Sequence, residues 1–448
     1  MTQKKVTLWP LVGAIYLMVA GGPFGLEDIV GSSGYLGAIL ILLITPVIWS
    51  LPTALMVSEL SSAIPEDGGY YRWVHRAMGG FWGFQEGWLS LAGSIFDMAI
   101  YPTLFVSYLS RVSPGLTAGG RGIAIGVLLI AVCAVWNVMG ASAVGQGSLA
   151  MTVLLLAPFV VLAVWAGMHA GASAGGLGAA GVKHVDLLAG MLVAMWNYMG
   201  WDNSTTIAGE VERPQRTYPM AMAVGVVLVA VTYVVPIGAV ALTGLDAAKW
   251  TTGGWPDVAR AIGGGGWMAA ALIGAGMIGA AGTLNALTMS YSRLPAAMAE
   301  DGFLPGVLAK RHVKSNAPWV AVMSCAGAWA FCLGMSFSKL IMLDVLLTGL
   351  SILLEFAALV VLRVREPGLV RPYRVPGGMA GAVGIGLAPL GLLVMAVIRN
   401  DAEPVGKVFG VQVNALGLGV GIVGLGVCVW AAFCAKGAKG AQSTPRGA

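Results

Sequence analysis

The sequence predicts an all-α, polytopic membrane protein of about twelve transmembrane helices, and three observations carry that reading. The 448 residues are 58% hydrophobic and 10% charged, with a mean hydropathy of +0.83, whereas a soluble domain carries about 25% charged residues. Apolar stretches long enough to cross a bilayer, about 20 residues each, recur along the whole chain. The first and the sixth of them are interrupted at their centres by glycine and polar residues.

The stretches cover residues 8–33, 36–61, 81–110, 122–140, 145–168 and 186–209, then 219–243, 264–292, 318–335, 340–362, 377–398 and 412–435. Lys4 and Lys5 ahead of the first imitate a signal peptide, but the apolar run is too long and lacks a small-residue cleavage site. It reads as a retained span. Placing the N-terminus in the cytoplasm puts 17 of the 25 Lys and Arg residues inside and 8 outside, the asymmetry that the positive-inside rule asks for. The expected location is therefore an integral position in the plasma (inner) membrane with both termini cytoplasmic. The net charge of +5 reflects these loops, so no nucleic-acid partner is expected.

The remaining composition excludes other classes. Cys133, Cys325, Cys332, Cys428 and Cys434 all fall in apolar stretches and read as small core hydrophobes rather than a disulfide or zinc framework. His75, His169, His184 and His312 are scattered in loops, so neither a metal centre nor a cofactor is expected. Gly419-Val420-Gly421-Ile422-Val423-Gly424 fits the spacing of a dinucleotide fingerprint, yet it lies inside the last span. Close helix packing through small residues accounts for it. No nucleophile–base constellation stands out, which leaves transport as the leading class and an enzyme as an unsupported one. A cation channel would need an uninterrupted acid-lined pore, and two broken spans argue against it.

The first break is Gly21-Gly22-Pro23-Phe24-Gly25-Leu26-Glu27-Asp28 and the second is Trp196-Asn197-Tyr198-Met199-Gly200-Trp201-Asp202-Asn203-Ser204. Unwound backbone at bilayer depth is tolerated only where it lines a cavity or meets a ligand. Matching breaks that each open a set of five spans are the sign of an inverted repeat with its site at the pseudo-symmetry interface.

Acids near membrane depth are Glu27 and Asp28 beside the first break, Asp97 in the third span, Asp202 in the second break, and Asp344 and Glu355 in the tenth. Each costs ~2.5–3.5 kcal/mol at a helix centre, and no Lys or Arg accompanies them in the spans. Such carboxylates are protonated, hydrogen-bonded, hydrated or waiting for a cationic ligand. Plain readings stand beside the functional ones. Capping of the outer half-helix would stabilise Glu27 and Asp28 by ~0.3–1 kcal/mol, and Asp97 has the alternative of a hydrogen bond to a neighbouring helix. Asp344 and Glu355 lie away from both breaks and read as structural or loop-facing, while Glu59 and Glu86 are expected to meet Arg72 or Arg76. The proton-coupling candidates are Glu27, Asp28, Asp97 and Asp202.

With these motifs the chain resembles the amino acid–polyamine–organocation transporters, and within them the polyamine uptake branch related to L-type amino acid transporters. The first-break motif carries most of the resemblance. Phe81-Trp82-Gly83-Phe84-Gln85, Asp97 with Tyr101-Pro102, Trp201-Asp202 leading to Ala208-Gly209-Glu210-Val211-Glu212-Arg213-Pro214, Met298-Ala299-Glu300-Asp301-Gly302-Phe303-Leu304-Pro305 and Arg371-Pro372-Tyr373-Arg374-Val375-Pro376 add to it. The resemblance implies a five-plus-five inverted repeat with two appended spans, divided at 1–168, 184–363 and 377–448. It also implies a substrate site over Gly21, Gly22, Pro23, Phe24, Gly25, Glu27, Asp28, Asp97, Tyr198, Trp201 and Asp202, with Tyr198 as an aromatic gate and Asp202 where arginine–agmatine exchangers also place an acid. Amino-acid carriers of the family bind the substrate carboxylate on the amides of the first break. Here Glu27 and Asp28 crowd that end, which tilts the reading toward polyamines or other cationic amines taken up with protons rather than sodium. An amino-acid carrier or exchanger is the alternative. Residues 151–167 hold no lysine of the kind some proton-coupled relatives carry, so coupling falls to a carboxylate.

Overall fold

The computed structural model describes residues 5–170, 186–400, 404–408 and 411–441. Lys4, Lys183, His184 and Arg446 lie outside these residues. The first half comprises α1 (Leu8–Val19), α2 (Glu27–Thr45), a π turn (Pro46–Ser50), α3 (Leu51–Ala63), α4 (Tyr70–Met78), α5 (Gly80–Val112), α6 (Pro114–Thr117), α7 (Arg121–Val138) and α8 (Ala141–Met168). The second half has α9 (Leu187–Asn197), a 3₁₀ segment (Asn203–Glu210), α10 (Pro214–Ala241), α11 (Trp255–Ala261), α12 (Gly265–Glu300), α13 (Trp319–Trp329) and α14 (Phe337–Arg365). Then come α15 (Gly378–Asn400), β1 (Pro404–Val408), β2 (Val411–Asn414) and α16 (Ala415–Ala441). The antiparallel β1–β2 hairpin joining the last two spans was not expected from the sequence.

Eight helical stretches are long and apolar enough to cross a membrane, and four shorter apolar ones accompany them. The stretch Glu27–Ala63 is two elements in one, because Gly34 at φ 70° and ψ 175° interrupts α2. Residues 27–33 are thus the half of span 1 that lies away from the N-terminal face, and the remainder of α2 with α3 is span 2. With α5, α7 and α8 as spans 3–5, α9 and the 3₁₀ segment as span 6, and α10, α12, α13, α14, α15 and α16 after them, the twelve spans expected from hydropathy are present among the described residues.

Local chemistry explains the ends. Gly21, Gly22 and Gly25 all take positive φ and Pro23 offers no amide, so α1 stops there. Glu27 and Asp28 then open α2 at the positive end of its dipole. Asp186 caps α9 by accepting from Ala189 N at 3.0 Å, and Pro214 sits at the first position of α10.

The packing follows an exchange of spans 1–5 for spans 6–10. α5 lies on α14 as α12 lies on α8, α1 on α10 as α9 on α2, and α7 on α12 as α13 on α5. Each half therefore repeats the other's neighbours, the pattern of an inverted repeat. Alternation puts every second connection on the face where the chain begins, here the N-terminal face, and contacts agree: Val6 pairs with Val211, and Arg76 with Glu366.

Three local expectations are corrected. Glu59 meets Arg363 and Arg371, Glu86 accepts from Ser351, and Arg72 and Arg76 instead pair with Asp301 and Glu366. The α14 residues Asp344 and Glu355 are wholly interior rather than loop-facing. Cys133 and Cys325 are buried, but Cys428 is exposed on α16. Gly419 does pack closely, since a Cβ there would lie 2.7 Å from Leu346.

Candidate functional site

The two breaks meet at the centre of the molecule. The Tyr233 hydroxyl of α10 donates to Asn197 O at 2.8 Å and to Ala20 O at 3.3 Å, joining the end of one broken helix to the end of the other. Gly200, at φ 91°, lies so close to the first break that a Cβ there would stand 2.7 Å from the Met18 carbonyl oxygen. Only glycine supplies both the conformation and the clearance. Gly200→Ala is expected to separate the breaks, with a backbone cost of ~1–3 kcal/mol before the clash is counted. It should show as a lower melting temperature in detergent and faster alkylation of a cysteine placed at Met18. Wild-type values for both would refute the contact.

A small cavity, about 20 Å³, opens between the breaks, room for little more than one water molecule. Met18 and Val19 line it from α1, Asp97 and Tyr101 from α5, and Trp196, Met199, Gly200 and Asn203 from span 6. Tyr291 of α12 and Asp344 and Thr348 of α14 complete it. Asp97 accepts from Tyr101 Oη at 2.7 Å and Tyr291 Oη at 3.1 Å, and Asp344 accepts from Thr348 Oγ1 at 2.8 Å. A second space of about 10 Å³ lies on the far side of Tyr101 and Trp196, bounded by Gly21, Phe24, Tyr108 and Thr283. The Tyr108 hydroxyl donates to Glu27 Oε1 at 2.9 Å, and Glu27 Oε2 is buried without a partner. Its carboxyl is also near enough to the Gly25 and Glu27 amides to interact with them.

The arrangement is thus a row of acids separated by an aromatic pair. Asp97 and Asp344 line one side, Glu27 lies behind Tyr108 on the other, and Tyr101 and Trp196 stack between at 6.3 Å. None of the three is in an ion pair among the described residues. Such a row suits a ligand with positive charge at both ends and a methylene chain between, the aromatic faces adding ~0.5–2 kcal/mol of cation–π attraction. A larger space of about 210 Å³ beside Pro102, Ile123 and Leu333 holds no charged group and lies away from the breaks.

Of the sequence-predicted site, Gly21, Phe24 and Asp97 border these spaces, and Glu27 stands behind Tyr108 of the second. Gly22 and Gly25 shape the turn, and the Pro23 carbonyl accepts from Trp255 Nε1 at 2.7 Å. Asp28 turns outward to Thr252, with oxygens 2.8 and 3.0 Å from its hydroxyl. Tyr198 points at Leu42 O, and the Trp201 indole donates to Tyr198 O; neither lines the cavity. Asp202 is buried but is not among the lining residues either. Tyr101, Tyr108, Trp196, Tyr291, Asp344 and Thr348 were missed as site residues.

On the N-terminal face the cavity is shut. Gly68 N donates to Thr206 O at 3.0 Å, Gly209 N to Asp67 at 2.8 Å, and Arg293 to Glu210 at 3.1 Å. Outside these, Arg72 Nη1 grips both oxygens of Asp301 at 2.7 and 2.6 Å, and Tyr71 adds a third bond. Burial pushes the Asp301 carboxyl up, but Arg72, Tyr71 and His75 outweigh it and hold it below the ordinary carboxylate range. A lowered carboxyl stabilises the closed face above its unfolded value and loses that contribution as pH falls through the lowered one. Asp301→Asn is expected to weaken the closed face at neutral pH and flatten the acid limb of thermal stability. An acid limb identical to wild type would contradict the linkage.

Residues 11–424 match the amino acid permease family. The chain belongs to that family. This permease is 36% identical over 423 residues to Polyamine transporter PUT1 of Oryza sativa subsp. japonica, covering 94% of this chain and 78% of that one. Against Polyamine transporter RMV1 of Arabidopsis thaliana it is 36% identical over 397 residues, covering 87% and 79%. The Serine/threonine exchanger SteT of Bacillus subtilis (strain 168) is more distant, 28% identical over 346 residues and covering 73% and 76%. The permease is accordingly an integral membrane transporter, not an enzyme.

Proposed function

We propose that this permease imports polyamines or related cationic amines by alternating access, with protons as the coupling ion, across a plasma membrane. The N-terminal face is cytoplasmic in this reading, as the distribution of Lys and Arg indicates, and residues 1–168 and 184–363 act as the two repeats with 377–448 appended. The observation that carries it is the row of Asp97, Asp344 and Glu27 around Tyr101 and Trp196, three interior carboxylates without a cation among the described residues. The polyamine transporters among its relatives agree with that chemistry. An amino acid would have to place its carboxylate on first-break amides that Glu27 already approaches.

The test is uptake into liposomes holding the purified chain. Labelled putrescine, spermidine and agmatine should accumulate when the outside is acid, and collapse of the gradient by a protonophore should abolish accumulation. Uptake of neutral amino acids with indifference to all three amines would replace this reading by the amino-acid one, and an absolute sodium requirement would remove the proton.

A further inference from the structure

Beneath the cavity lies a second group of acids that the row above does not use. On α5, Glu86 precedes Asp97 by 11 residues; on α14, Glu355 follows Asp344 by 11. Eleven residues are three helical turns, so each pair shares one helix face with about 16 Å between its members. The two helices pack together and run in opposite directions, so the pairs fall into two storeys. The register is visible in contacts: a Cβ on Gly93 would meet Thr348 and Asp344 in the upper storey, while Ser351 donates to Glu86 Oε1 in the lower.

The lower storey has more acid than it can neutralise. Glu86 and Glu355 are both 0% exposed. Both Glu355 oxygens, Glu86 Oε2 and Asp202 Oδ1 are buried without a hydrogen-bond partner. Asp202 of the second break completes the set, near enough that its charge acts on Glu86 and Glu355. From the other packed elements, α4 contributes Tyr70, whose hydroxyl shares a hydrogen with Ser90, and Gln85 of α5 is turned toward Gly426 of α16. Arg293 of α12 is committed to Glu210 and Met289 O. The carboxylates are not placed to share one metal ion. Three interior carboxylates without a counter-charge among the described residues cannot all be ionised.

We propose that Glu86, Glu355 and Asp202 form a proton-holding station on the N-terminal side of the amine cavity, distinct from the residues that bind the amine. A carboxylate oxygen gains an O–H bond from hydronium when the station faces the acid side and returns that proton to water on the other side. A proton fits there without moving a side chain, which an alkylammonium would not. Asp202 links the storeys, because it belongs to the break that walls the cavity and its charge also acts on Asp344. This deepens the proposed amine–proton coupling and rests on it.

The experiment uses the full chain and Glu355→Gln, whose amide imitates the protonated acid. Infrared difference spectra between acid and alkaline buffer should lose intensity in the protonated-carboxyl band in Glu355→Gln. In liposomes the variant should retain amine exchange at zero gradient within about threefold but lose at least tenfold of its gradient-driven accumulation, a difference of about 1.4 kcal/mol. Glu86→Gln gives the same readouts should Glu355→Gln not fold. An unchanged band, or accumulation still following the gradient, overturns the station. Wild-type protein that moves no amine overturns the transport reading instead, and the infrared arm still decides whether the station holds a proton.

Discussion

Asp97→Asn is expected to weaken diamine binding by roughly a few hundredfold or more, since removing one partner of a buried ion pair costs ~3–5 kcal/mol. The change removes the charge and one of two acceptor oxygens while keeping the side-chain volume. Tyr101 and Tyr291 donate to different oxygens of Asp97, at 2.7 and 3.1 Å, so the asparagine oxygen keeps one of these bonds and the other hydroxyl must turn to the amide as acceptor. Asp344→Asn and Glu27→Gln should behave alike, the first at the same end of the ligand and the second at the other. Asp202→Asn, outside the row of three acids, should affect binding far less. Ligand-induced shifts in melting temperature for putrescine and for a neutral amino acid separate these cases. Equal losses for charged and neutral ligands would mean that Asp97 supports the cavity rather than the charge.

The second large effect concerns stability. The Glu59 carboxylate holds together three parts of the chain: Arg363 at the end of α14, Arg371 in the following loop at 3.2 Å, and the Val375 amide at 2.7 Å. Arg363 and Glu59 side chains are 1% and 0% exposed. Glu59→Gln leaves two guanidinium groups interior without a counter-charge, and a loss of ~3–5 kcal/mol is expected. The melting temperature in detergent should fall steeply, with reduced yield. Combining Glu59→Leu with Arg363→Met should recover part of the loss, because an apolar pair of similar volume often replaces a buried ion pair at little cost. A double variant no better than Glu59→Gln would place the stability elsewhere.

What the sequence disclosed and what it hid follow from how local each signal is. The breaks were readable because glycine, proline and acid inside an apolar run violate the needs of a continuous helix within a few residues of one another. Side-chain direction was not readable there, because an unwound segment has no 3.6-residue period. Tyr198 and Trp201 therefore pack away from the cavity into the core, while Trp196, still in the last turn of α9, faces the cavity. Asp344 could not be placed beside Asp97 because its position depends on the antiparallel register of α5 with α14. The equal spacing of acids on those two spans was the available clue. Glu59 found its partner 304 residues away, beyond any local pattern.

Gly34 gives the fold a mechanical asymmetry. Residues 27–33 are less than two turns of helix and continue into span 2 through that one glycine, with no spare chain between. At their upper end Ser32 O accepts from Asp186 N at 2.9 Å, and Gly190 of α9 packs beside Ile29 and Ile41. The halves of both broken spans that lie away from the N-terminal face thus form a single flap with one pivot. It cannot tilt piecemeal. Any force that lifts one arm, whether from a ligand entering or an antibody on that surface, is delivered to the other arm and to the adjoining part of span 2 together.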